Sequence, residues 1–245
     1  MKNKIRIALG LMLTSSLSVA AVPSDATTLV PSGWKVISHA IGDLNQDGLA
    51  DIALIIQEDN IDKVLIDIAT GEDVVNINPR RVIVALQQNV REPKRYRVVV
   101  DNARFILPKS DQDRPCLLDP LAETENNGLK IEKGILKTSI QFMYSCGSQY
   151  MTQYGFTFRW QQRRMALIGL EFYQFHRITS HQKSVSINYS TQRIISRDTR
   201  LDTKNARQIS MIKHDNLRIN PKYTLDQMQS NESFLSKLIP KIEND

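Results

Sequence analysis

The chain has 245 residues, 41% of them hydrophobic and 24% charged, with 10 Gly and 9 Pro. These fractions exclude collagen-like, low-complexity and wholly disordered chains, and the length suffices for one large domain or two small ones. The formal net charge of +6 points to a mildly basic protein, but half of that charge sits at the N-terminus.

Lys2, Lys4 and Arg6 open the chain, Ile7 to Leu13 form an apolar run, and Leu17 to Ala21 end in small residues. This is the three-part pattern of a secretory signal peptide over residues 1–21, with cleavage expected after Ala20 or Ala21. The apolar run is too short to cross a bilayer core about 30 Å thick. No later segment approaches a spanning length, so the expected location is exported, periplasmic or extracellular, with no transmembrane segment after signal removal. Cleavage would take away three positive charges and no negative one, leaving 29 basic against 26 acidic side chains and a net charge of +3. A balance that weak does not argue for nucleic acid. Arg80-Arg81, Arg163-Arg164 and the stretch Arg91 to Arg97 read as solvated strand edges or turns.

Strand signals dominate the mature chain. Ile52 to Ile56, Val64 to Ile68 and Val82 to Leu86 are compact apolar runs that predict buried strands, and Tyr96 to Val100 reads similarly. Polar residues and two prolines gather between Asp111 and Asn127 and mark a sub-boundary. Cys116 and Cys146, an even pair in an exported chain, predict one disulfide. A catalytic thiol is the rival reading, but neither cysteine belongs to a Cys-His signature. Asn127-Gly128 and Glu132 to Gly134 are turn signals, and Ile140, Phe142 and Tyr144 alternate with less apolar neighbours.

Tyr154, Phe156, Phe158 and Trp160 place four aromatic rings on one face of a strand. Period-two burial makes this stripe sheet core first, and the lining of a carbohydrate or peptide groove second. A polar turn at Gln161 to Arg164 then leads into Met165 to Phe172, which predicts a hairpin, and Val185, Ile187 and Tyr189 predict another strand. Beyond Asp198 the apolar periodicity thins. Residues 199–245 therefore read as a polar C-terminal extension, with one short amphipathic helix at Phe234, Leu235, Leu238 and Ile239, stopped by Pro240. The predicted fold over residues 22–198 is all-β, an antiparallel meander with hairpins, arranged as an incomplete propeller or a sandwich, with a short helical or irregular tail.

The chemically specific segment runs from Gly42 to Asp51. Asp43, Asn45, Asp47 and Asp51 stand at loop positions 1, 3, 5 and 9, with Gly48 at position 6. Calcium takes six to eight oxygen ligands, and alternating carboxylates and amides in a tight turn aim their oxygens inward. Leu49, at position 7, would offer its backbone carbonyl while its side chain enters the core. The competing reading is an Asx-rich turn that binds nothing, because Asp, Asn and Gly are good turn residues.

Position 12 is Leu54 and an apolar strand follows, so the segment is not an EF-hand. With the following Ile-Ala-Leu-Ile-Ile it resembles the calcium loops of FG-GAP and VCBS-type repeats, which join two strands of integrin-like β-propeller blades. That resemblance covers residues 40 to 58 and implies calcium bound for structural support. Propellers repeat the loop, whereas it occurs once here, which argues against a full propeller. More loosely, residues 35 to 190 resemble a group of exported bacterial proteins that pair one such loop with a G-x-x-x-x-x-G-x-L segment and an aromatic hairpin. The matching residues are Gly128, Gly134 and Leu136, then Tyr154 to Phe172.

There is no H-E-x-x-H, G-x-S-x-G or phosphate-binding P-loop, and His39, His176, His181 and His214 are scattered. The expected function is an exported, calcium-stabilised β-rich binding or scaffold module that contacts a protein or glycan at the cell envelope. The alternatives are a hydrolase with structural calcium and, as a narrower binding role, a toxin-neutralising protein that plugs an active site.

Overall fold

A computed structural model describes residues 24–66, 74–91, 94–202, 207–218 and 222–239. Residues 1–21, read from the sequence as a signal peptide, lie outside the described residues. No helix among those described is long and apolar enough to cross a membrane.

Thirteen strands form two antiparallel sheets and one small hairpin among the described residues. The first sheet contains β1 (Trp34–Gly42), β2 (Asp51–Glu58), β5 (Arg80–Gln87) and β6 (Tyr96–Asn102), in the order β1-β2-β5-β6. Between β2 and β5 the chain makes a small hairpin of β3 (Val64–Ile66) and β4 (Val74–Asn76). The second sheet is an uninterrupted meander of seven strands. These are β7 (Leu129–Glu132), β8 (Ile135–Met143), β9 (Tyr150–Gln161), β10 (Arg164–His176), β11 (Gln182–Asn188), β12 (Arg193–Asp202) and β13 (Arg207–Asn216). A short helix, α1 (Glu232–Leu238), comes after them. The all-β expectation with a helical tail holds.

The two sheets pack face to face over one core. Ala53 and Ile55 of β2 and Val82, Val84 and Leu86 of β5 meet Leu136, Ile140, Phe156, Phe158 and Leu170 of the meander. Period two sends the alternate residues Ile52, Leu54, Ile56, Ile83 and Ala85 to the opposite face. There the 3-10 turn Ser24–Leu29 covers them, with Ala26 fully buried. The first sheet is thus buried on both faces, which is why β2 and β5 are continuous apolar runs rather than alternating ones.

Several expectations need correcting. Arg80 is 3% exposed, not solvated. Its guanidinium donates to both carboxylate oxygens of Asp119, at 2.6 and 2.8 Å, and to Gln57 Oε1 at 2.9 Å. Asp119 lies in the crossover between the sheets, so this pair and the Cys116–Cys146 disulfide both anchor the 111–127 segment. That segment does separate the sheets in sequence, yet the sheets share one core. The strand at Val64 forms, but Leu65 and Ile66 are exposed and β3 is hydrogen-bonded to β4 rather than to either sheet; residues 67 and 68 of the predicted run lie outside the described residues.

The C-terminal part differs most. β12 runs straight through residue 198, and β13 pairs with it as a further strand. Leu217, Leu225, Met228, Leu235 and Leu238 then enter the common core. Asn102 Nδ2 donates to the carbonyls of Leu225 and Met228, and the Tyr189 hydroxyl donates to the Leu238 carbonyl. The predicted helix is present as α1, with Asn231 as its N-cap.

Candidate functional site

The acidic loop joins β1 to β2, where the sequence put it. Asp43 closes the turn: its Oδ1 accepts from the Gln46 and Asp47 amides at 2.6 and 3.2 Å, and its Oδ2 from the Gly48 amide at 2.9 Å. Asp47 Oδ1 accepts from the Leu49 amide and Oδ2 from Asn45 Nδ2, both at 2.8 Å. Gly48 has φ +82° with no atom near its missing side chain, so the backbone angle rather than space demands glycine there. Asp43, Asn45 and Asp47 are therefore gathered in one turn.

Asp51 behaves differently. It is fully buried, and its carboxylate accepts from the Leu44 amide at 2.8 Å and the Gln87 amide at 2.9 Å. It is a strut between the loop and the end of β5. Burial pushes its carboxyl above the usual value, opposed by those two amides. Leu49 does not enter the core as expected; it is half-buried, and Leu44 takes that place at 1% exposure. Among the described residues no three His, Cys, Asp or Glu side chains converge on a point that could hold a metal. An ion here would draw on carboxylate lone pairs, Asn45 and backbone carbonyls together.

The glycine motif meets this loop in space. Gly134, with φ +72°, sits in the β7–β8 turn, and a Cβ there would lie 3.4 Å from Gln46 Nε2 and 3.6 Å from the Asp43 carbonyl. Gly42 backs onto Ile131 of β7 so closely that a Cβ would overlap its side chain. The loop and the Gly128–Leu136 segment are thus two sides of one contact between the sheets.

A second feature lies at the far end of the meander. On β8 to β10 and the bend between β8 and β9, Tyr144, Tyr154 and Phe172 pack against the core while only partly buried. Phe156 and Phe158 of the aromatic stripe are buried, as the core reading expects. Tyr154 is half-buried and enters the wall of a cavity of about 550 Å³. Phe142, Tyr144, Tyr150 and Phe172 complete its aromatic lining, and α1 supplies Leu235 and Ser236 on the other side. Tyr154 is braced edge-to-face by Phe142 at 6.0 Å and by Phe172 at 5.3 Å. The remaining polar lining is uncharged: Ser148, Thr152 and Gln174.

The bend before β9 that carries Ser148 is held twice. Cys146 is joined to Cys116, and Arg177 donates to the carbonyls of Tyr144 and Ser148. The sequence stripe pointed at Tyr154, but Tyr144, Tyr150 and Phe172 required the strand register. None of the three serine and threonine hydroxyls in the lining is paired with a histidine or carboxylate: Thr152 Oγ1 lies 3.5 Å from Gln174 Nε2. Ser148 Oγ accepts from the Tyr150 amide, and Ser236 Oγ donates to the Ser233 carbonyl. The histidines do not converge either: His181 Nε2 lies 2.8 Å from Asp198, and His176 stacks edge-on against Tyr150. Compared with known proteins, the chain matches no protein-family model, no curated protein and no solved structure.

Proposed function

We propose that this protein is an exported, calcium-supported β-rich binding module of the cell envelope. It takes its partner, a glycan or an uncharged stretch of protein, in the groove between β8–β10 and α1. The observation that carries this reading is the groove lining. Five aromatic rings with serine, threonine and glutamine side chains, and no charged side chain, suit an elongated neutral ligand. A hydrolase would need an activated nucleophile or a paired acid and base aimed into that cavity. The oxidised Cys116–Cys146 pair fits an oxidising compartment. Calcium enters the reading through Asp43, Asn45, Asp47, the Leu49 carbonyl and Asp51, and its role is to brace the β1–β2 loop against the β7–β8 turn.

One calorimetric series on chelator-treated protein tests both halves. Calcium should bind at one site and raise the melting temperature, and Asp43→Ala and Asp47→Ala should abolish that rise. An equal loss of stability without calcium would reduce the loop to a turn. Neutral oligosaccharides and uncharged peptides are then titrated in turn, with Tyr150→Ala and Phe172→Ala as controls. Binding that survives both substitutions would place the partner elsewhere.

A further inference from the structure

We infer that β13 is a self-complementary edge through which two copies of this chain join their meanders into one continuous sheet. The other edges of the two sheets have cover among the described residues. β1 and β7 lie against each other, and β6 packs against the turn Leu225–Gln227. β13 instead ends its sheet, and all ten of its residues are exposed. Its pairing with β12 runs from Arg207 to Asn216 without a register shift, and it contains no proline. An edge that long and regular, with Ile209 54%, Met211 58% and Ile212 49% exposed, lacks the bulges and prolines that discourage strand addition.

The order of residues along the edge identifies the occupant. Two copies related by a two-fold axis normal to the sheet pair antiparallel, with facing residues on the same side. Such an axis through Met211 overlaps residues 207–215 of each copy. It sets Arg207 opposite Asp215 of the second copy, twice by symmetry, Met211 opposite Met211, and Ile209 opposite Lys213 but diagonal to the Met211 pair. Arg207 already faces Asp202 across its own hairpin, so it would stand between two carboxylates. Shifting the axis to Ile212 gives an equal overlap but sets Met211 against Lys213 and Ile209 against Asp215. Each register sets one apolar residue against itself and another against Lys213, but only the first also pairs opposite charges, Arg207 with Asp215. An unrelated strand would have no reason to show this symmetry.

Sedimentation velocity on the purified protein over a concentration series tests the inference. The wild type should dimerise reversibly, Arg207→Asp and Asp215→Arg should each weaken the dimer at least tenfold, and the double charge reversal should restore it. Melting curves on each variant separate loss of the dimer from loss of the fold. A wild-type monomer at all concentrations overturns the inference, as does a dimer that both single variants leave intact. Failure of the double reversal to rescue folded single variants overturns the Arg207–Asp215 register.

Discussion

The strands β2 and β13 are of similar length and both pair in antiparallel ladders, yet their surroundings are opposite. Seven of the eight residues of β2 are buried, whereas all ten of β13 are exposed. In β2, hydrophobic burial on two faces sets the sequence, so polar residues survive only where a specific partner meets them. Asp51 is one such residue, held by the amides of Leu44 and Gln87. In β13 the ladder to β12 is the main constraint, and residue identity is free to serve another purpose. Backbone pairing alone can thus carry a strand well past the core, where its side chains are available for recognition.

That contrast predicts a graded response to substitution. The greatest loss should come from the buried ion pair. Asp119→Ala leaves the Arg80 guanidinium, 4% exposed, without its partner and should cost about 3 to 5 kcal/mol in urea unfolding at neutral pH. Burial alone would raise the Asp119 carboxyl, but the Arg80 hydrogen bonds outweigh it and hold the group below its ordinary 3.8. Its contribution is therefore complete above that value and is lost as pH falls below it toward the depressed folded value. The difference between wild type and Asp119→Asn should shrink through that acid range. A constant difference would mean that Asp119 acts through packing rather than charge.

Ile55→Ala, in the centre of β2 at 0% exposure, should cost about 2 to 5 kcal/mol in the same experiment. A loss below about 1 kcal/mol, the scale of removing one methylene, would show that the two-sided core repacks freely. The disulfide comes next. Its ends are 30 residues apart, and Cys116→Ser with Cys146→Ser should lower stability by roughly 3.5 kcal/mol in the chain-entropy account. Reductant should reproduce the drop in the wild type and leave the double variant unchanged; a further drop in the variant would refute the assignment. At the bottom of the scale, Leu201→Ser on the exposed hairpin should change stability by less than about 0.5 kcal/mol. A larger loss would mean that the Leu201 end of the ribbon is covered, and the contrast with β2 would fail.

The same contrast explains which elements the sequence displays. Ile52 to Ile56 and Val82 to Leu86 were legible because two-sided burial writes an uninterrupted apolar run. The β9–β10 hairpin was legible from alternation and from the turn at Gln162 and Arg163, both of which adopt positive φ. The strand β13 was not, because a strand wet on both faces has no apolar period to display. Arg80 looked like surface for a different reason: its partner is 39 positions away, and sequence does not reveal that distance in space. At the candidate site the turn-forming trio Asp43, Asn45 and Asp47 was visible from spacing. The strut role of Asp51 and the choice of Leu44 over Leu49 depended on where β5 and the opposing sheet lie. The groove was half visible, since one strand showed its stripe while the neighbouring rings came from other strands.

The crosslink between Cys116 and Cys146 has a mechanical consequence. A meander whose neighbours in space are neighbours in sequence yields to tension as a zipper does, one hairpin at a time. Pulling from the C-terminal end would first withdraw α1 from the core and then peel β13, β12 and β11 in turn. Peeling that reaches the bend before β9 meets a covalent stop. The 30-residue loop held by the disulfide withholds roughly 100 Å of extensible chain. The Arg80–Asp119 anchor and the crossover between the sheets stand behind that stop, so the first sheet would keep its tether to the crossover after the ribbon had been drawn out.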